Sequence, residues 1–208
     1  GGYDPYSSSK ACQELVTSAY INSFFNTAEY SRHGVAIATA RAGNVIGGGD
    51  FAQDRLVPDI IRSIISGEQL RIRYPRAVRP WQHVMEPLFG YMTLAQKLYT
   101  DGPAYSGAWN FGPDQGSIKT VEWIVGRLLD YFGREYGYVA DTENNPHETN
   151  CLMLDSAKAK QLLGFRPRLD IEKALEKTAY WTTAFLDKAD MMRVTLEQID
   201  EYENIGNP

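Results

Sequence analysis

The stretch Val35-Ala-Ile-Ala-Thr-Ala-Arg-Ala-Gly-Asn-Val-Ile-Gly-Gly-Gly-Asp50 decides the fold class. Its first six residues form a short apolar run bounded by Gly34 and Arg41, which is typical of a strand buried in a parallel sheet. A glycine-rich loop follows directly, from Gly43 to Asp50. Because ligands in parallel α/β sheets bind beyond the carboxyl ends of the strands, this loop is a natural place for a binding site.

Helical and strand patterns alternate along the rest of the chain. Helices are predicted from Pro5 to about Asn26, from Pro58 to Gly67, from Pro87 to Tyr99, from Val121 to Phe132, from Ser156 to Gly164 and from Ile171 to Leu186, and further strands at 70–73, 81–84, 108–111 and 151–154. Strands that alternate with helices of this length predict an α/β fold with mainly parallel strand pairing.

Composition argues against several classes of protein. The 208 residues are 43% hydrophobic and carry a net charge of -5, which disfavours nucleic acid as a partner but leaves small anionic ligands open. Cys12 and Cys151 belong to no metal-binding pattern, so we expect no metal site and a reducing, cytoplasmic setting. No apolar run approaches the roughly 20 residues that span a bilayer, and we expect no membrane partner.

Tyr6 and Lys10 are the first candidates for chemistry. They lie four residues apart at the start of a predicted helix, for which Asp4 and Pro5 are the expected N-cap and first position. A neighbouring ammonium and the positive end of the helix dipole both favour a phenolate, which is able to take a proton from a sugar hydroxyl. A surface Tyr and Lys with no function remains the alternative for this spacing alone.

Asn44 and the glycines around it are the second candidates. Glycines allow backbone N–H groups to approach a diphosphate, and the Asn44 amide is a donor for a phosphate oxygen or a sugar hydroxyl. The loop has no Lys-Ser/Thr pair and no GxGxxG spacing, so an ordinary glycine loop remains the alternative.

Arginine side chains are the third candidates, because their planar forks match diphosphates. Five of them precede or follow the next predicted helix, at positions 55, 71, 73, 76 and 79. A solvated basic loop is as good an interpretation for Arg71 and Arg76, and a poorer one for Arg73 and Arg79. His147 either lines the mouth of a substrate site or is a hydrogen-bonded surface histidine.

The order of these motifs resembles the extended short-chain dehydrogenase/reductases, the NAD-dependent epimerase/dehydratase family. The motifs are Tyr6-x-x-x-Lys10, Arg41-x-Gly-Asn44, Asp54-Arg-Leu-Val-Pro58, Arg79-Pro-Trp-Gln-His-Val84, Trp109-Asn-Phe-Gly-Pro113 and Leu163-Gly-Phe-Arg-Pro167. The resemblance weakens only after about Asp190. The amino-acid sequences of the second and fourth motifs, with the residues that follow them, are most similar to those of the members that dehydrate CDP-glucose. Many relatives have Asp where this chain has Glu86.

The resemblance implies a fold and its domains. It implies a partial Rossmann-type parallel sheet that lacks its N-terminal half, together with a smaller C-terminal α/β substrate-binding lobe. Residues 1–43 and 78–118 would belong to the NAD-binding Rossmann domain, 44–77 and 119–190 to the sugar-nucleotide lobe, and 191–208 to a C-terminal tail.

The resemblance also implies roles for individual residues. Tyr6 matches the catalytic tyrosine, and Lys10 matches the catalytic lysine that holds the nicotinamide ribose. The cofactor NAD would contact Tyr6, Lys10, Ala42, Gly43, Asn44 and Val45, and the substrate would contact Asn44, Arg55, Leu56, Val57, Arg73, Arg79 and His147.

The implied reaction is an internal redox dehydration. Hydride passes from sugar C4 to NAD, water leaves across C5 and C6, and hydride returns to C6, which converts CDP-glucose to CDP-4-keto-6-deoxyglucose. The family's dinucleotide loop and its elimination acid/base residues lie upstream of the tyrosine and are not in this sequence. We therefore expect the isolated chain to be inactive, and to need an N-terminal fragment or a second copy, as in a homodimer, to cover its exposed sheet edge.

Two other functions stay open at this point. One is a related sugar-nucleotide epimerase or decarboxylase on the same scaffold. The other is a non-catalytic sugar-nucleotide-binding or assembly fragment.

Overall fold

The computed structural model describes residues 2–133, 137–141 and 149–206. Its helices are α1 Pro5–Phe24, α2 Tyr30–His33, α3 Leu56–Ser66, α4 Met85–Asp101, α5 Val121–Tyr131, α6 Ala157–Leu162, α7 Ile171–Leu186 and α8 Met191–Asn204, and its strands are β1 Ala38–Ala42, β2 Asn44–Ile46, β3 Leu70–Ile72, β4 Val78–His83, β5 Gly107–Phe111, β6 Ile118–Thr120 and β7 Tyr138–Ala140. Short turns of 3-10 helix occur at 27–29, 102–105 and 115–117.

The described residues form two compact units. Unit A comprises Gly1–Ala42, Pro87–Phe111 and Asp155–Phe165, and unit B comprises Gly43–Glu86, Gly112–Leu154 and Arg166–Pro208.

Unit A contains a parallel pair of strands and a small core. Strands β1 and β5 run parallel, with Ala38 opposite Gly107 and Ala42 opposite Phe111. The buried core side chains are Leu94, Trp109, Phe111, Ala159 and Phe165. Gly90 on α4 lies directly over the ring of Phe111, where an added Cβ would come within 2.3 Å of a ring carbon, so the close packing of α4 on β5 requires glycine there.

Helix α1 is long but packs little against the core of unit A, because none of its side chains is buried. Its apolar residues Leu15, Val16, Tyr20 and Phe24 are all more than half exposed. Two polar contacts connect the helix to β1: the Glu14 carboxylate accepts a hydrogen bond from Thr39 at 2.9 Å and lies 3.6 Å from the Arg41 guanidinium.

Unit B is built around a larger apolar core. Strand β2 pairs in parallel with β4, β4 pairs antiparallel with β6, and β3 pairs in parallel with β7. The core side chains come mainly from three helices, α3, α5 and α7, and include Ile60, Ile64, Ile124, Leu128, Ala174 and Leu175.

Local sequence explains the bounds of the main helices in unit B. Helix α3 buries Val57, Ile60, Ile61 and Ile64, which share one face, and it ends at Gly67, whose φ of 72° is left-handed. Helix α7 begins where the Asp170 carboxylate accepts the Lys173 N–H at 2.9 Å, as expected for an N-cap.

The predicted α/β fold with parallel strand segments is confirmed, but several details differ. The loop expected from Gly43 to Asp50 begins with strand β2, which pairs with β4, and strands β6 and β7 were not predicted. The strand expected at 35–40 lies at 38–42, because the Val35 N–H donates to the His33 side chain and not to a neighbouring strand. The strand expected at 151–154 is wrong: only Cys151 bridges, to Val78. Helix α8 occupies most of the expected tail and buries Val194, Gln198 and Tyr202, which recur every four residues.

The predicted division into a cofactor domain and a substrate lobe is a functional one and stays a prediction. The compact units group residues by contact, and they place 78–86 and 112–118 in unit B and 155–165 in unit A.

Candidate functional site

The first turn of α1 is fixed by a capping box. The Asp4 carboxylate accepts the Ser7 N–H at 2.9 Å and the Ser7 hydroxyl at 2.7 Å, and the Asp4 N–H in turn donates to the Ser7 hydroxyl oxygen at 3.2 Å. The bond from the Ser7 N–H, followed by the one from its hydroxyl, lowers the pKa of Asp4. The cap sets the backbone of the turn that carries Tyr6.

Tyr6 and Lys10 share one face of α1, as their spacing predicts. The Lys10 ammonium lies 5.4 Å from the centre of the Tyr6 ring, and the tyrosine is 72% exposed. The Tyr6 backbone carbonyl accepts the Ser9 hydroxyl at 2.7 Å, a bond that does not involve the phenol. An exposed phenol beside an ammonium has the components of a proton acceptor for a bound hydroxyl compound.

The predicted cofactor residues 42–45 lie on consecutive strands. Ala42 ends β1 in unit A, and Asn44 and Val45 begin β2 in unit B, opposite Trp81 and Gln82 of β4. Gly43 between them approaches the backbone of β4 closely, since an added Cβ would come within 2.6 Å of the Pro80 carbonyl oxygen. The glycine of the Arg-x-Gly-Asn motif is thus required by strand packing.

Close packing also explains the glycines after β2. A Cβ on Gly47 would lie 2.9 Å from Val84, and one on Gly48 would lie 2.1 Å from the Trp181 indole of α7. Gly49 has a φ of 80°, a conformation that side chains other than glycine rarely adopt. The backbone of the loop therefore packs closely against Trp181 of α7.

Two of the three predicted substrate arginines are exposed and face carboxylates. Arg55, at the N-cap position of α3, lies 3.7 Å from Asp50, and Arg73, just after β3, lies 3.7 Å from Asp54. Arg79 on β4 differs because it is buried and donates to the Val78 carbonyl at 2.8 Å.

The remaining predicted substrate residues fall in three settings. Val57 is buried in the core of unit B, and Leu56 is half-buried and packs against that core. Asn44 is half-buried on β2. His147 lies outside the described residues.

Glu86, which the sequence analysis singled out only as a departure from its relatives, is a fully buried carboxylate in unit B. It accepts hydrogen bonds from the backbone N–H groups of Arg168 and Leu169 at 2.9 and 2.7 Å, and from the Tyr202 hydroxyl at 3.1 Å. Burial raises the pKa of Glu86 in spite of these donors, and burial and the nearby carboxylate also raise the pKa of Tyr202. One carboxylate thus connects the start of α4, the segment before α7 and the end of α8.

His83, at the carboxyl end of β4, is buried beside the glycine loop. Its Nδ1 accepts the Met85 N–H at 3.3 Å, which assigns the proton to Nε2. Burial, followed by the charge of Lys177, lowers the pKa of His83 to about 4. The ring is therefore neutral near pH 7, and it lies where β4 passes into α4.

The roles of Glu86, His83 and Trp181 depend on contacts distant in sequence, so no local pattern identifies them. A glutamate inside the otherwise apolar run Val84 to Leu88 is the one available signal for Glu86.

Two features are absent from residues 2–133, 137–141 and 149–206, the part of the chain that the structure describes. No helix there is long and apolar enough to cross a membrane. No group of three or more His, Cys, Asp or Glu side chains there is arranged to hold a metal ion.

Comparison with known proteins identifies close relatives. The chain is 50% identical over 202 residues to the CDP-glucose 4,6-dehydratase of Salmonella typhimurium, which covers 97% of this chain and 56% of the relative. A dTDP-glucose 4,6-dehydratase from Streptomyces venezuelae, solved with NAD and TYD bound, matches with a TM-score of 0.68 at 24% identity over 89% of this chain and 53% of that one. A UDP-glucose 4-epimerase from Thermotoga maritima matches with a TM-score of 0.69 at 21% identity, over 89% and 55% of the two chains.

These similarities confirm the resemblance and the fold class inferred from the motifs. No family model matches the chain. The chain spans about half the length of the curated relatives that it matches.

Proposed function

We propose that this chain is the part of a sugar-nucleotide 4,6-dehydratase, a lyase, that carries the catalytic tyrosine and much of the substrate site, and that its substrate is CDP-glucose. The 50% identity to the Salmonella CDP-glucose 4,6-dehydratase carries this proposal. A dTDP-glucose 4,6-dehydratase of Streptomyces antibioticus is 28% identical, which favours the cytidine nucleotide.

The proposed cofactor is NAD, which is present in two solved dehydratases of similar structure. The chain suits such a cofactor, because the Lys10 ammonium and the Tyr6 phenol form an open polar face at the start of α1. Tyr6, Lys10 and residues 42–45 would hold its nicotinamide end. When bound, NAD supplies the hydride acceptor for C4 oxidation and the hydride that reduces C6.

Tyr6 is the proposed base of the first step. Its phenolate oxygen would take the proton of the sugar C4 hydroxyl, and the Lys10 ammonium would stabilise the phenolate form. Oxidation at C4 acidifies the C5 proton, so that water can leave across C5 and C6. The product is CDP-4-keto-6-deoxyglucose.

The proposed substrate residues lie mainly in unit B. Arg55 and Arg73 would bind the diphosphate with their exposed guanidinium groups. Arg79, which is buried, would present a pre-oriented guanidinium, and Asn44 would donate to a phosphate or sugar oxygen. Leu56, Val57 and His147 complete the proposed set.

Replacement of the tyrosine tests the proposal. In the active protein, this chain together with its N-terminal half, Tyr6→Phe should lower kcat for CDP-glucose by about 100-fold or more, because general-base catalysis contributes that much. The 4-keto product is followed by its alkaline absorbance. Tyr99→Phe, which changes an exposed tyrosine of α4, is the control and should leave turnover unchanged.

Two results would contradict the proposal. Conversion of UDP-sugars but not of CDP-glucose would indicate the related epimerase or decarboxylase. Full activity in Tyr6→Phe would favour a non-catalytic binding fragment.

We further propose a homodimer that uses α1. The exposed apolar residues Leu15, Val16, Tyr20 and Phe24 lie on a helix that buries none of its side chains, and an exposed apolar patch of this kind marks an interface. The N-terminal half of a longer protein is the other proposed partner. Sedimentation of the active protein should show a dimer that Leu15→Glu dissociates, and a monomeric wild type would contradict the dimer.

The proposed setting is the cytoplasm. Cys12 and Cys151 are both free and exposed, a state that a reducing compartment maintains. Mass spectrometry of the protein isolated under alkylating conditions should find both thiols unmodified by disulfide exchange.

A further inference from the structure

Two aspartates of the loop that follows the glycines are paired with the arginines assigned above to the diphosphate. Asp50 lies 3.7 Å from Arg55, and Asp54 lies 3.7 Å from Arg73. All four residues belong to unit B. Each exposed guanidinium therefore already has an anionic partner from the protein.

The segment between these aspartates is held in place. The guanidinium of Arg62 on α3 donates to the carbonyl oxygens of Phe51 and Ala52, at 3.2 Å each, and is also paired with Asp59. The Asp50 carboxylate accepts the Ala52 N–H at 3.0 Å, which closes the turn.

The backbone of Asp54 is strained. Its φ of 59° lies in the left-handed region, which few residues other than glycine adopt and which aspartate and asparagine tolerate best. Non-glycine residues persist in this region mainly where the surrounding structure imposes it, often at ligand sites. In this conformation the Asp54 carboxylate lies 3.7 Å from the Arg73 guanidinium.

The strength of the pairs allows a ligand to replace them. Exposed ion pairs contribute about 0 to 1 kcal/mol each, because water screens them. A diphosphate carries two negative charges and accepts bidentate hydrogen bonds from arginine, which are stronger than a single contact at 3.7 Å. A ligand of this class can therefore displace both carboxylates at small cost.

We propose that Asp50 and Asp54 are internal competitors for the sugar-nucleotide diphosphate: they hold Arg55 and Arg73 in the empty site and set the affinity for the substrate. This inference rests on the proposed function. The two aspartates would weaken substrate binding, whereas the other residues named in the site would strengthen it.

The test is the kinetics of Asp54→Asn in the active protein with CDP-glucose. Asparagine keeps the size of the side chain and tolerates the left-handed backbone, so the change removes mainly the charge. The variant should lower KM by about two- to fivefold, the equivalent of up to 1 kcal/mol, and leave kcat unchanged. Asp50→Asn should act in the same direction.

A matched control separates this effect from a change in net charge. Asp130→Asn removes a carboxylate that pairs with Arg127 at 3.4 Å on α5, also in unit B, and should leave KM unchanged. The gain in Asp54→Asn should also shrink as NaCl is raised from 0.05 to about 0.5 M, because salt screens exposed charges.

The outcomes distinguish this inference from the proposed function. An unchanged or higher KM in Asp54→Asn overturns the inference, since the carboxylate would then be neutral or would pre-orient Arg73. If Arg73→Gln raises KM in the same experiment, the proposed function stands and only the competition fails. If Arg73→Gln leaves KM unchanged, Arg73 does not bind the diphosphate and the inference fails. If the wild-type protein forms no 4-keto product from CDP-glucose, the proposed function itself fails.

Discussion

Helix α1 of unit A and helix α7 of unit B are both long and both begin at an aspartate cap, but their surroundings differ. Helix α1 buries no side chain, whereas α7 buries six, from Ile171 to Thr182. The proposed catalytic tyrosine is thus carried by a helix that buries no side chain, and the proposed substrate residues that the structure describes lie in the unit with the larger core.

The two parts of the proposed site are therefore held in position by different interactions. In α1 the cap and the hydrogen bonds of the helix itself position Tyr6, since packing contributes little. In unit B the apolar core and buried polar groups position the loop and its arginines. Local sequence therefore explains the first part of the site, and tertiary contacts explain the second.

Each unit has a glutamate whose carboxylate joins separate segments, and replacing these two glutamates provides the sharpest test. Glu86→Ala should destabilise the chain by about 4 kcal/mol, because two backbone N–H groups and the Tyr202 hydroxyl would lose their buried acceptor. Glu14→Ala, which removes the contacts with Thr39 and Arg41 at a half-exposed position, should cost about 1 kcal/mol or less. Urea unfolding followed by circular dichroism measures both.

Glu86→Gln is the control, since an amide oxygen can still accept the two backbone N–H groups. It should recover most of the lost stability. If Glu86→Ala and Glu14→Ala lower the free energy of unfolding equally, the two units depend on such contacts to the same degree. The proposed difference between the units would then be wrong.

A second test uses the pH dependence of stability. The pKa of His83 is lowered to about 4 from an unfolded value of 6.5. As the pH falls, this histidine is therefore protonated in the unfolded state before it is protonated in the folded state. This stabilising contribution is complete above pH 6.5 and is lost as the pH falls toward 4, by up to about 3 kcal/mol.

The measurement compares wild type with His83→Asn between pH 7 and 4, because carboxylates contribute to both curves equally. Asparagine retains an acceptor for the Met85 N–H. The variant should lose stability less steeply over this window. A wild-type slope in His83→Asn would contradict the assignment of a buried neutral ring.

Much of the fold and part of the site were predictable from local sequence, and the rest depended on long-range contacts. The Asp4 cap, the shared face of Tyr6 and Lys10 and the bounds of α7 follow from spacing and capping rules. Helix α8 was missed because its pattern is mostly polar, and the burial of its three residues depends on segments that are distant in sequence.

The site shows the same division. Arginine clusters predicted a diphosphate site, but the aspartates that pair with Arg55 and Arg73 come from a loop whose path depends on Arg62 and on a left-handed residue. The packing of Gly48 against Trp181, more than a hundred residues away, gives those glycines a role that no motif states.

The smallest expected effects come from the two aspartate caps, and they compare α1 and α7 directly. Asp170→Ala should lower the free energy of unfolding of the chain by about 1 kcal/mol, since α7 is packed into the core of unit B and its first turn unfolds with that core. Asp4→Ala should leave that free energy unchanged and speed hydrogen exchange only in the first turns of α1, because no buried side chain links that helix to a core.

Exchange measured by mass spectrometry on peptides from 2–24 and 167–186 resolves the two outcomes. If Asp4→Ala destabilises the chain as much as Asp170→Ala, α1 is coupled to a core despite its exposure, and the position of Tyr6 does not depend on local capping alone.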